Sequence, residues 1–189
     1  MDASDVKGVF AELKKRMDGQ IDHVRRELGG VRTGRASVTI LDTVHVEAYG
    51  SQMPLNQLAS LSIPEPTLIV AQPFDPSLTG AIEKAIRSSN LGLNPTTDGK
   101  AIRIPIPALT EERRRELSKL VHKYAEEGRN GVRQARRDAN DRLKKLLKDH
   151  KISEDDERRS LDEVQKATDQ HISQIDELQK KKDAELLGK

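Results

Sequence analysis

Residues 109–148 read LTEERRRELSKLVHKYAEEGRNGVRQARRDANDRLKKLLK. Apolar or small side chains recur through this stretch at Leu117, Leu120, Val121, Tyr124, Gly128, Val132, Ala135, Ala139, Leu143 and Leu146. That spacing predicts one apolar stripe along a single helix. Thr110 stands where an N-cap is expected, Glu111 and Glu112 where the helix dipole favours negative charge, and Lys144, Lys145 and Lys148 in the closing turns. A helix of about forty residues is about 60 Å long. One small core does not need such a rod, so it is expected to be the spine on which other helices pack.

The same helix carries a second pattern. Arg129, Arg133, Arg136 and Arg137 are spaced i, i+4, i+7 and i+8, which places them on one face beside the apolar stripe. They form either a solvated face paired with Asp138 and Asp141 or a strip for binding phosphate. The use of arginine rather than lysine four times favours phosphate, because the planar guanidinium matches its oxygens.

The 189 residues have room for one domain or two small ones. Charged residues make up 34% of them and aromatics 2%, so any core is aliphatic and thin. Periodic stripes within so charged a chain point to long helices rather than disorder. The formal net charge of +2 requires any nucleic-acid site to be a local patch. There is no cysteine, which excludes disulfides, thiol catalysis and cysteine metal sites. The first residues lack the pattern of a signal or transit peptide, and no apolar run is long enough to span a membrane. A cytoplasmic protein with no membrane partner is expected.

On the N-terminal side of the spine, Val6, Phe10, Leu13, Met17, Ile21, Val24 and Leu28 predict a first helix over 5–28, stopped by Gly29-Gly30. The linker that follows carries Arg32, Gly34 and Arg35. Between about 38 and 104 the apolar period shortens and prolines appear. Val44, Val46 and Ala48 predict a strand ending at Gly50-Ser51, residues 67–74 a second, and 58–63 another cut short by Pro64 and Pro66. Asp75-Pro76 opens a short helix through Leu78, Ile82 and Ile86 that ends at Asn90 or Gly92, and 101–106 form a returning strand. Pro105 and Pro107 hold the exit extended. Beyond the spine, a tight connection over 149–152 and a capping box of Ser153 with Asp156 lead into a helix through Leu161, Val164, Thr168, Ile172, Ile175, Leu178 and Leu186.

The expected fold is therefore α+β in two domains. Residues 1–30 and 106–189 form a long antiparallel three-helix bundle, and 31–105 form an inserted small β/α/β domain. A two-stranded hinge joins them at Gly30, Gly34, Pro105 and Pro107. Three complete stripes leave no helix in need of a second copy, so a monomer is expected.

Chemistry for catalysis is not indicated. The run Glu154-Asp155-Asp156-Glu157 fits a helix start better than a metal site. His23, His45, His122, His150 and His171 show no metal-binding spacing, and Gly29-Gly30 and Gly34 match no nucleotide loop. No serine has a nucleophile-elbow pattern. With few aromatics for base stacking, the arginines suit phosphate and shape recognition of folded RNA. Arg113, Arg114 and Arg115 are equally explained by ion pairs within the bundle. One rival is a helical adaptor or chaperone-like protein that binds other proteins through its charged faces. Another is a tRNA- or nuclease-like enzyme acting on RNA, which would need a carboxylate cluster or general base facing the arginine strip; no spacing supplies one.

Five blocks, RTGRAS at 32–37, LGLNP at 91–95, LTEERR at 109–114, VRQARRDAN at 132–140 and ISEDD at 152–156, resemble the bacterial ribosome recycling factor family in content and order. The resemblance implies a three-helix bundle hinged to a β/α/β domain, and a translation factor that is not an enzyme. It implies binding to the large ribosomal subunit, on 23S rRNA, after termination. Elongation factor G would drive subunit splitting with its own GTP, so the chain would need no cofactor or metal. By position, the RNA-contacting arginines would be Arg32, Arg35, Arg133, Arg136 and Arg137, with Arg129 on the same face but less supported by the family pattern.

Overall fold

The computed structural model describes residues 3–188. Two units result: one built from the residues up to Arg32 with those from Glu111 onward, the other from Thr33–Thr110. The second unit thus starts two residues later and ends five residues later than 31–105. Both of its ends are held locally, with Ala36 N–H donating to the Pro66 carbonyl at 2.7 Å and Ile106 N–H to that of Thr67 at 2.8 Å.

The first unit contains α1 (Ala3–Gly29), α3 (Glu111–Lys148) and α4 (Glu154–Leu186). At 38 residues, α3 is about 57 Å long. Its fully buried positions are Leu117, Val121, Ala125, Gly128, Val132, Ala135, Ala139 and Leu143. Leu120, Tyr124 and Leu146 flank the stripe half-buried, and Ala125 lies within it. The α1 stripe is likewise Val9, Leu13, Met17, Ile21, Val24 and Leu28, with Val6 and Phe10 at its margin. In α4, Ser160, Val164, Thr168, Ile175 and Leu186 are buried, while Leu161, Ile172 and Leu178 are only partly so. The buried arc of each helix is set by two neighbours, which sequence spacing alone does not orient.

Polar contacts fix the helix register across all three interfaces. Arg16 Nη1 of α1 reaches Asp138 Oδ2 of α3 at 2.6 Å. Ser118 Oγ of α3 donates to Asp183 Oδ1 of α4 at 3.2 Å, and His171 Nε2 of α4 lies 2.9 Å from Asp18 Oδ1 of α1. Residue numbers that rise along α3 fall along both partners, so α3 is antiparallel to α1 and α4. The helices crowd most at Gly128, where an added Cβ would lie 2.2 Å from Val24 Cγ2 and 3.3 Å from Ile175 Cδ1. Buried Thr168 satisfies its hydroxyl on the Val164 carbonyl at 2.8 Å. The expected capping box at Ser153 is present, and the acidic run that follows it lies in the first turn of α4.

The second unit pairs β1 (His45–Ala48) with β2 (Ser51–Pro54) in a hairpin. β3 (Ala59–Glu65), β4 (Leu68–Pro73), β5 (Thr96–Asp98) and β6 (Ala101–Pro105) form an antiparallel sheet in the order β3-β4-β6-β5. α2 (Thr79–Ser88) places Ile82 and Ile86 in a core shared with Leu41, Val46, Leu55, Ile69, Ile102 and Ile104.

Three local expectations need correction. β3 is not cut short at Pro64, because it is an edge strand with a register shift between Ser62 and Glu65, a place where proline's missing N–H leaves no ladder bond unmade. α2 stops at Ser88, ahead of Asn90 and Gly92, with the Ser89 hydroxyl bonded to the Ile86 carbonyl at 2.5 Å. Asp75 does cap as expected, accepting from Ser77 N–H at 2.9 Å, but the turn it opens over Pro76–Leu78 is 3₁₀ and α2 follows it. β2 and β5 escaped the sequence reading, being short and mostly exposed and so lacking apolar alternation.

Candidate nucleic-acid interface

α3 positions the arginine strip, and α4 decides how each guanidinium is used. Arg129 turns toward α4 and is only 11% exposed. It donates to Asp176 at 2.8 Å, to Glu126 at 3.1 Å and to Gln179 Oε1. Arg129 is thus an α3–α4 clamp rather than a member of an open strip.

The next three arginines remain at the surface. Arg133, 37% exposed, donates through Nη1 to Glu126 at 3.0 Å and to Asn130 at 3.1 Å. Arg136 makes only a long 3.5 Å contact with Gln165 of α4, and Arg137 donates to Gln134 at 2.7 Å. Arginine has five N–H donors, so neutral amide partners orient these side chains without cancelling their charge. Among the described residues Glu126 is the one carboxylate bonded to the strip's exposed members, and hydrogen bonds from Arg133 and then Arg129 hold it below the usual carboxylate range. Asp138 makes no direct bond to the strip, although the nearby Arg137 charge also favours its ionised form. Arg16 of α1 takes it instead, and with Gln134 keeps its carboxyl ionised to lower pH. Arg113 and Arg115, by contrast, pair within their own helix with Glu116 and Glu111, each at 2.8 Å.

Arg32 and Arg35 are both exposed, but Arg32 belongs to the first unit and Arg35 to the second. Of the expected hinge residues, Gly30 follows α1, with its N–H bonded to the Arg26 and Glu27 carbonyls. Gly34 adopts φ +73°, and a Cβ there would lie 3.2 Å from Leu109 Cγ, so Gly34 is packed inside the second unit. Pro105 ends β6 opposite Leu68, and Pro107 is exposed. The positioning residues Glu126, Asn130 and Gln134 were within reach of i+3 and i+7 spacing on α3. Asp176, Gln179 and Gln165 needed the register of α4.

Among the described residues no cluster of His, Asp or Glu could hold a metal ion, and no helix is long and apolar enough to cross a membrane. What the surface offers chemically is a set of oriented guanidinium donors on a rigid helix, suited to anionic oxygens.

Comparison with known proteins fits that chemistry. The sequence pattern of the family "Ribosome recycling factor" matches residues 24–187. The chain is 56% identical over 176 residues to the ribosome-recycling factor of Bradyrhizobium diazoefficiens, covering 93% of this chain and 94% of that one. It is 55% identical over 184 residues to that of Nitrobacter winogradskyi, covering 96% and 98%. Among solved structures it is similar to a solution structure of ribosome recycling factor, with 42% identity, a TM-score of 0.72 and coverage of 98% of both chains. It is also similar to the Thermus thermophilus factor placed with Escherichia coli elongation factor G on the E. coli post-termination complex, with 46% identity, a TM-score of 0.62 and coverage of 97% and 99%. With the match running nearly end to end, the chain belongs to the ribosome recycling factor family.

Proposed function

We propose that this protein recycles ribosomes after termination by binding 23S rRNA of the large subunit through Arg133, Arg136 and Arg137, with Arg32 and Arg35 adding contacts from the connecting segment. Arg129 supports that surface by locking α3 to α4. The observation that carries this reading is the arginine row at the surface of a rigid helix, its donors oriented by neutral amides and, at Arg133, also by Glu126. Phosphate contacts of this kind anchor a protein on folded RNA without reading sequence.

The protein acts as a monomer in the cytoplasm, is not an enzyme and uses no cofactor. Work for splitting comes from GTP hydrolysis by elongation factor G, the partner named with the T. thermophilus relative. Gly30, Gly34, Pro105 and Pro107 lie in the two chain segments through which that push reaches the bundle.

Light scattering of post-termination ribosomes with this protein, a bacterial elongation factor G and GTP tests the reading. A drop in scattering that needs both the protein and GTP is expected. No drop, together with large-subunit binding that does not weaken as salt rises, would overturn it in favour of a protein-binding adaptor.

A further inference from the structure

Asp138 follows Arg137 directly in α3, yet the two do not pair. Gln134, one turn earlier, stands between acid and base. Its Nε2 donates to Asp138 Oδ1 at 2.8 Å, and its Oε1 accepts from Arg137 Nη2 at 2.7 Å. Arg137 and Asp138 thus meet opposite ends of a single amide. Gln165 serves Arg136 in the same way, donating to Asp169 Oδ1 at 2.8 Å while its Oε1 faces Arg136 Nη1 at 3.5 Å. Twice, then, a neutral amide separates an aspartate from a surface arginine.

An amide alone is a weak barrier. Gln134 and Arg137 are both exposed, and a guanidinium gains more from a carboxylate than from an amide oxygen. What keeps Asp138 away is the other half of its carboxylate. Oδ2 is held by Arg16 Nη1 of α1 at 2.6 Å, so both oxygens are engaged and one of them is anchored to a different helix. The side chains of this pair are 37% and 40% exposed, a setting in which an ion pair adds little to stability. Its larger effect is on charge: a cation from α1 takes up Asp138 and leaves Arg137 bonded to an amide.

We infer that Arg16 is a positioning residue for RNA binding, which occupies Asp138 from the neighbouring helix and so keeps Arg137 available to phosphate. Arg16 first, then Gln134 and the charge of Arg137, keep the Asp138 carboxyl ionised to lower pH. With Arg16 removed, Arg137 is therefore the cation to which the released carboxylate turns, and that pairing cancels one phosphate-binding charge.

The inference rests on Arg137 being an RNA contact, so its test has one readout that needs the ribosome and one that does not. Arg16→Met, Arg16→Lys, Arg137→Ala and a double variant combining Arg16→Met with Asp138→Asn are compared with wild type in binding to isolated large subunits at several salt concentrations. In the free protein, the Arg137 side-chain Nε–H resonance is followed by NMR, with Arg137→Ala giving its assignment. Expected for Arg16→Met are an affinity about fivefold lower, a salt slope smaller by about one and a shifted Arg137 resonance. Arg16→Lys keeps the cation and the double variant removes the released charge, so both should return all three readouts toward wild type. A purely structural role for Arg16 would not be rescued by deleting its partner's charge as well.

The inference is overturned if Arg16→Met binds as wild type or leaves the Arg137 resonance in place, as it would were Asp138 to turn to Arg142, which lines the same cleft. It is also overturned if Asp138→Asn fails to restore affinity, as it would were Arg16 itself an RNA contact. If Arg137→Ala binds as wild type, it is the RNA-site reading that fails, and the resonance alone decides whether Arg16 keeps Asp138 off Arg137.

Discussion

Four arginines with one helical spacing have different uses here, and the difference is set by what each faces. Arg129 is enclosed by Asp176, Gln179 and Glu126, whereas Arg136 has one long contact with Gln165. Arg129→Ala should therefore cost about 1–2 kcal/mol of stability, because it removes several charge-assisted bonds while leaving carboxylates that water still reaches. Arg136→Ala should leave the unfolding midpoint unchanged, weaken large-subunit binding and reduce its salt slope by about one. Urea unfolding and binding at several salt concentrations measure both, and equal loss of stability in the two variants would contradict the division. The strip's existence was legible in the 129–137 spacing. The fate of Arg129 was not, since its partners Asp176 and Gln179 lie 47 and 50 positions away in the chain.

At the scale of the element, α3 shows how a glycine can be required by packing within a regular helix. A Cβ at Gly128 would meet Val24 Cγ2 at 2.2 Å, and Val24 is wholly buried and, being β-branched, has few rotamers to escape into. At Gly131 the added Cβ would meet the side-chain end of Gln20 at 2.3 Å, which is long, partly exposed and able to swing aside. Gly128→Ala should thus lose up to about 2 kcal/mol, overpacking of about 1–3 kcal/mol being offset in part by a helix-propensity gain of about 1 kcal/mol. Gly131→Ala should be neutral or slightly stabilising, and thermal unfolding distinguishes them. Helix spacing put Gly128 in the stripe but did not reveal why it must be glycine. Strands were less legible than helices: β4 and β6 carry apolar residues and were read, while β5 is exposed throughout and is defined only by pairing with β6.

For the whole molecule, the hydrogen-bonded carboxylates of the bundle predict how it meets acid. Hydrogen bonds from Lys14 and then His171 lower the Asp18 pKa, Arg16 and then Gln134 lower that of Asp138, and Arg133 and then Arg129 lower that of Glu126. A carboxyl whose folded pKa lies below its unfolded one stabilises the fold above the unfolded value, and that contribution is lost as pH falls through the folded value. The urea midpoint should therefore be steady near neutrality and fall below about pH 4. Asp138→Asn should be less stable than wild type at pH 7 and approach it in acid. An unchanged gap between the two at pH 7 and pH 3 would show that the Arg16–Asp138 pair does not contribute.

The sequence by itself determined the long helices, the insertion between the first and second of them, the arginine row and the family resemblance, because helical period and contiguous motifs are local properties of a chain. Only the tertiary structure decided which flank of each stripe is buried, which acid neutralises which arginine, why Gly128 admits no side chain and how β5 finds its place. Those outcomes depend on the register between segments far apart in sequence, and register is settled by packing and cross-helix hydrogen bonds that come into being only when the chain has folded.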